Sequence, residues 1–285
     1  MTIQSPLGTT ETAETTMSAQ RAGLAGSVAR RVLPPVALGV LLVGVWYFVS
    51  YVVLDEARRF LLEPPHEVVA VGFLDAGNFN EMMAGLWSSA KVALLGLVIS
   101  IVIGVALAVA MSQSKLVERA VFPYAVTVQA IPILAIVPLL GFWFGYRTMP
   151  RVVICVIISI FPIIVNTLFG LQSAQRGMHD LFTLHGSSRW VRLRKLMFPA
   201  SLPALFTGLR IAAGLSVIGA IVGDFFFARG EIGIGQLLLR YANRLQGEQL
   251  LASIIVSSAL GVAVFLAFGW LQQRITGPWD DTGAG

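Results

Sequence analysis

Cysteine is nearly absent: Cys155 stands alone in 285 residues, inside an apolar run. No intrachain disulfide can form, and the count says nothing of the redox compartment. Charge is scarce too, since 12% of the residues are Asp, Glu, Lys or Arg, about half the share of an ordinary soluble domain. The G-x-x-x-x-G-K-[ST] phosphate loop is missing, so any nucleotide must be hydrolysed by another chain. His66, His179 and His185 lack a cysteine or carboxylate cluster at metal-ligand spacing, and the expectation is no metal and no catalytic residue. No repeat of about 20 to 50 residues is visible. Residues 1 to 20 lack the early apolar core of a secretory signal, so the first apolar run is expected to stay in the mature protein.

What the sequence does have is long apolar runs, with 56% of residues hydrophobic. A membrane span needs about 20 mainly apolar residues, and six runs qualify, near 32–54, 92–112, 122–145, 152–171, 202–227 and 251–271. The expected fold is therefore all-α, integral to the membrane, with about six transmembrane helices over residues 31–275. Residues 1–30 read as a flexible tail, and 276–285 as a short C-terminal one. Pro132 and Pro138 should bend the third span, because each lacks an N–H and crowds the preceding turn. FNEMMAGLW, residues 79–87, reads as a segment along the interface, and 229–249 is long enough for a short re-entrant or interfacial helix.

The formal charge of +5 could suggest nucleic acid, but the basic residues mainly flank the apolar runs. Orientation explains them better. Residues 172–200 hold Arg176, Arg189, Arg192, Arg194 and Lys195 against Asp180 alone. That loop should be cytoplasmic, and with an even number of spans both termini fall on its side.

A connection of nearly 30 residues is long enough to demand a function. Its sequence MHDLFTLHGSSRWVRLRKLMFPASLPALF suits a helical turn capped by Asp180, a corner at Gly186, and a second helix capped by Ser187 or Ser188. Trp190, Leu193, Leu196 and Met197 fall near one face of that second helix, and Pro199 should break it.

These residues resemble the cytoplasmic motif of integral subunits of type I ABC importers: Glu-Ala-Ala, three residues, Gly, nine residues, then Ile-x-Leu-Pro. Gly186 is followed by nine residues and then by Leu196, Met197, Phe198 and Pro199. Asp180, Leu181 and Phe182 stand where Glu-Ala-Ala would, keeping the carboxylate but adding bulk. The resemblance covers roughly residues 32–275. It is closest to the branch importing nitrate, sulfonates, taurine, bicarbonate or pyrimidine-like precursors, through AIPILAIVPLLGFWFG, FPIIVNTLFGL and IVGDFFFARGEIG.

The resemblance implies a permease fold in a bacterial inner membrane, without enzymatic activity of its own. Its implied partners are a dimer of ATPase subunits carrying ATP and Mg, an extracytoplasmic binding protein, a second permease chain in a homodimer, and lipid. Nucleic acid is not among them. In this family the loop docks on the ATPase, so Asp180, Leu181, Phe182, Gly186, Arg189, Trp190, Arg192, Leu193 and Pro199 become candidate coupling residues. The expected cargo is a small anion, with a pyrimidine or other heterocyclic vitamin precursor as the alternative.

Polar groups within spans are candidates for the translocation path. Arg210 lies well inside the fifth run, where it either attracts an anion or braces the helix, and bracing is the favoured reading. Asp224 falls at that run's outer end, where it could shape the mouth or cap the helix. Asn166 and Gln129 could line a cavity or link helices by hydrogen bonds. A secondary transporter would need paired intramembrane carboxylates or inverted repeats, which the sequence does not display.

Overall fold

The computed structural model describes residues 30, 33–227 and 229–276, so the expected tails at 1–30 and 276–285 lie almost wholly outside the described residues. Contacts divide the chain into two units, Met1–Glu67 and Val68–Gly285. In the first, α1 (Leu33–Val53) is long and apolar enough to cross a membrane. It closes in a π-helical turn, Val49–Val53, followed by a 3₁₀ segment, Glu56–Leu61. Trp46 Nε1 donates to the Glu63 carbonyl at 2.9 Å, holding the returning chain against the helix end.

The second unit is helical throughout among the described residues. After a π-helical stretch, Val68–Leu74, come α2 (Ala76–Gln113), α3 (Lys115–Ala130), α4 (Ile133–Phe144) and α5 (Thr148–Gln172). Then follow α6 (Arg176–Leu184), α7 (Arg189–Phe226), α8 (Ile234–Asn243) and α9 (Gly247–Thr276). Helices α1, α2, α5, α7 and α9 satisfy the length and hydropathy of a span, and α3 with α4 makes a sixth if the bent pair counts as one.

Three segments differ from expectation. Residues 79–87 do not form a separate interfacial piece: they are the opening turns of α2, which Asp75 caps by accepting from the Asn78 N–H at 2.8 Å. At 38 residues, α2 is about 57 Å long, so it exceeds the roughly 30 Å hydrocarbon core. The third span is broken rather than bent smoothly. α3 and α4 meet at 98° across Ile131 and Pro132, where Pro132 is extended and precedes the first turn of α4. Pro138 lies inside α4 without ending it.

Pro199 likewise fails to end a helix. The chain runs from Arg189 to Phe226 as one helical rod, because a π-helical turn, Leu193–Met197, precedes the proline. The Phe198 N–H reaches back to the Leu193 carbonyl, one residue further than in an α-helix. That wider turn accommodates the ring and the missing donor.

Helices α5 and α7 pack antiparallel along a line of small residues. A Cβ on Gly170 would meet Ser201, one on Gly208 would meet Asn166 and Pro162, one on Gly219 would lie 2.9 Å from Cys155 Cα, and one on Gly223 would press on Arg151. Helix α2 runs parallel to α5, with Gly96 against Cys155 and Gly104 against Ile163. At the same offset of 59 residues, Ser100 and Ser159 hydroxyls lie 2.7 Å apart. Lipid is as apolar as leucine, so helices gain little from hydrophobic exclusion and associate through such close van der Waals contact.

Candidate functional site

The loop between α5 and α7 forms a corner whose geometry follows from its backbone. Helix α6 ends at Leu184, and Gly186 takes φ +67°, a left-handed conformation in which a side chain would be strained. The Gly186 N–H donates to the Thr183 carbonyl and the Ser187 N–H to the Phe182 carbonyl, both at 3.0 Å. These are the two bonds of a Schellman motif. Ser188 then opens α7 by accepting from the Val191 N–H at 3.3 Å. Between the helices, Arg192 Nη2 donates to Thr183 Oγ1 at 2.9 Å, and that hydroxyl donates to the His179 carbonyl.

Each expected coupling residue can be placed on this frame. Asp180 is exposed in the middle of α6 and does not cap it; the N-cap is Gln175. Leu181 is exposed, Phe182 is half-buried and Arg189 is exposed. Trp190 presents 68% of its surface, and neighbouring Leu184 presents 85%. Leu193 points the other way: it is 5% exposed and packs with Met197 against Ala108, Met111, Ile164, Leu168 and Leu171. The single apolar face expected for Trp190, Leu193, Leu196 and Met197 is therefore split. Trp190 lies in the α-helical turn ahead of the π-helical stretch and is exposed, whereas Leu193, Leu196 and Met197 within that stretch are all buried.

The expected path residues do not gather. Asn166 donates to the Pro162 carbonyl at 2.8 Å within its own helix, beside Gly208. Gln129 is exposed near the end of α3. The Arg210 guanidinium lies 3.8 Å from the Phe265 ring centre and against Gly269, so it ties α7 to α9 as a cation over an aromatic face.

Asp224 sits at the end of the bundle opposite the corner. It is wholly buried and ion-paired with Arg151, which is 1% exposed. It also accepts from Ser89 Oγ at 2.5 Å and from the Gly235 N–H at 3.2 Å. Ser89 Oγ in turn accepts from the Ile234 N–H at 2.9 Å. Neither Gly233 nor Gly235 has room for a Cβ beside this carboxylate. Four elements thus meet at one buried acid: α2, α5, α7 and the start of α8.

Arg151 falls just before the apolar run expected at 152–171, so sequence reasoning missed the cluster. The available signal was a pair of opposite charges at the facing ends of consecutive long apolar runs, Arg151 bordering one and Asp224 inside the next. Nearer the surface, Lys91 Nζ donates to Glu231 at 2.6 Å, and this bond with the ammonium's charge holds the Glu231 carboxyl below the usual range. Arg240 and Tyr241 of α8 both donate to Glu81 of α2, at 2.5 and 3.0 Å. Burial first, then the Glu81 carboxylate, pushes the Tyr241 phenol up to about 12. A cleft of about 380 Å³ opens beside Ser88, Lys91, Arg147, Thr148 and Arg151.

Five long apolar helices and a broken sixth, with an exposed corner in the connection between α5 and α7, are the elements of a polytopic membrane permease. Residues 100–277 match the family of binding-protein-dependent transport system inner membrane components, and the chain belongs to that family. It is a permease subunit of an ABC importer in the inner membrane. The formylaminopyrimidine transport permease protein of Halalkalibacterium halodurans is 33% identical over 249 residues, covering 87% of this chain and 96% of that one. The nitrate import permease protein of Leptolyngbya laminosa is 24% identical over 88% of this chain and 90% of its own. In fold, the chain resembles the inward-facing MetNI methionine ABC transporter, with a TM-score of 0.63 at 16% identity over 71% of this chain and 99% of that one.

Proposed function

We propose that this permease draws its energy from a separate ATPase dimer, which binds ATP and Mg and docks on the α6–α7 corner. A binding protein delivers the solute to the opposite face, and two copies of the chain enclose the path. The observation that carries this reading is the corner itself. Its backbone is locked by the Schellman pair and the Arg192–Thr183 bond, while Leu181, Leu184 and Trp190 remain exposed. A rigid frame presenting uncovered aromatic and aliphatic groups on a basic loop is suited to a partner groove rimmed with carboxylates. In this topology the corner and both termini are cytoplasmic, in keeping with the loop's positive charge.

The test is co-purification with the ATPase encoded beside this subunit, followed by Gly186→Trp. The wild-type complex is expected to assemble and couple hydrolysis to transport, and the variant to lose that coupling. Unchanged assembly, ATPase activity and transport in the variant would sink the proposal.

For the cargo, the heterocyclic alternative gains weight over the small anion. The relative named for formylaminopyrimidine is 33% identical, against 24% for the one named for nitrate. A screen of ligands on the partner binding protein decides between them. Capture of an aminopyrimidine supports this reading, and capture of nitrate or a sulfonate replaces it.

A further inference from the structure

A charge pair buried in a membrane protein is a poor choice for stability alone. Withdrawing two ions from water costs several kcal/mol each, and apolar residues of the same volume often do as well or better. Such groups within spans are more often kept for what they do. Here the pair has three further properties. It joins the two helices that flank the corner, since α5 leads from Arg151 toward Gln172 and α7 from Arg189 back to Asp224. Those helices are locked along their length by the contacts of Gly170, Gly208, Gly219 and Gly223, so a displacement at one end is carried to the other. Lastly, the carboxylate also holds α8: Gly235 donates to it directly, and Ile234 through Ser89.

We propose that Arg151, Asp224 and Ser89 are positioning residues that link the α8 end of the bundle to the corner. They hold α8 and the α5–α7 pair in one fixed arrangement, so that force applied at α8 reaches the ATPase side and the resting complex hydrolyses ATP slowly. The two-state element this requires is the attachment of α8. Its buried bonds to Asp224 and Ser89 are either all made or all broken, because a half-made set would leave unpaired polar groups in a low-dielectric site. The outer part of the same attachment joins exposed Glu81 to half-buried Arg240 and buried Tyr241 and follows the inner one.

The proposal rests on the reading of the chain as an ATPase-driven permease, and the experiment separates the two. The complete complex is reconstituted in liposomes, and ATP hydrolysis is measured with and without the cognate binding protein, purified from cells with its retained ligand. If the wild-type complex shows no stimulation, the permease reading itself fails.

If it is stimulated, the double variant R151M/D224L is compared with it, together with the thermal midpoint of each complex. Apolar replacement is expected to leave the midpoint near the wild-type value. The ratio of stimulated to basal hydrolysis is expected to fall about 5-fold or more, the lower range of coupling between sites, through a raised basal rate. A wild-type ratio in this variant would show the pair to be packing alone.

Should the double variant not assemble, Ser89→Ala decides. It keeps the ion pair but cuts the links to Ile234 and Asp224, and the same fall in ratio is expected. An unchanged ratio in Ser89→Ala overturns the proposal.

Discussion

At the corner, Leu184 and Trp190 leave 85% and 68% of their surfaces open, whereas at the far end of the same helix pair Arg151 and Asp224 are 1% and 0% exposed. The corner is held by backbone bonds and one solvent-facing guanidinium bond, each modest in water. The far end is held by ions in a dry site, where pairing decides whether the group is tolerated at all. One end leaves aromatic and aliphatic groups uncovered; the other is complete within its own chain. Substitutions at the corner should therefore damage partnership before folding, whereas removing one partner of the ion pair should damage folding first.

The largest expected break in this contrast is Asp224→Ala. It strands Arg151 in the bundle and should cost about 3–5 kcal/mol, read as a lowered thermal midpoint of the solubilised subunit. A loss no greater than that of a corner substitution would erase the distinction.

Next is Gly219→Val, whose side chain would strike the Cys155 backbone 2.9 Å from its Cβ and should cost about 1–3 kcal/mol by overpacking. Gly214→Val is its control, since nothing lies within 4 Å of a Cβ there; a surface change of that kind should stay within about 0.5 kcal/mol.

Gly186→Val should cost about 1–2 kcal/mol for the left-handed backbone. The midpoint will fall less than for Asp224→Ala, yet coupled transport should be lost. Smaller still in stability is Trp190→Ala, within about 0.5 kcal/mol, although affinity for the ATPase, measured by titration of the purified partners, should drop roughly 30-fold if Trp190 is an interface anchor.

The smallest effect is one of pH at the α2–α8 contact. The Tyr241 phenol is raised from 10.0 to about 12, so its contribution is complete below pH 10 and is lost as the pH climbs through 12. Amide exchange in α8 should quicken over that interval in the wild type, and Tyr241→Phe should remove that step.

Much of this molecule was legible in its residues. Apolar runs near a bilayer's thickness disclosed the spans, and Gly186 between Leu184 and two serines disclosed the corner, because both signals are local. What escaped was governed by partners distant in the chain. Arg151 reads as a loop cation until α7 places Asp224 against it, and Ser89 as one more small residue until α8 arrives. Pro199 reads as a helix breaker because propensity treats the proline alone, whereas the preceding turn widens to admit it. Asp180 reads as a cap because helix starts are poorly bounded by sequence, and α6 begins four residues earlier, at Arg176.

The wide turn at Leu193–Met197 works like slack in a rope, because it fits five residues into about the space that four fill in an α-helix. Deleting one residue there would let the turn close to α geometry, with little change in the bearing or reach of Trp190. The same deletion in the regular helix past Pro203 would turn the exposed corner by about 100° and draw it in by about 1.5 Å. A residue can therefore be gained or lost at this turn, and nowhere else along α7, without moving the tryptophan to a different side.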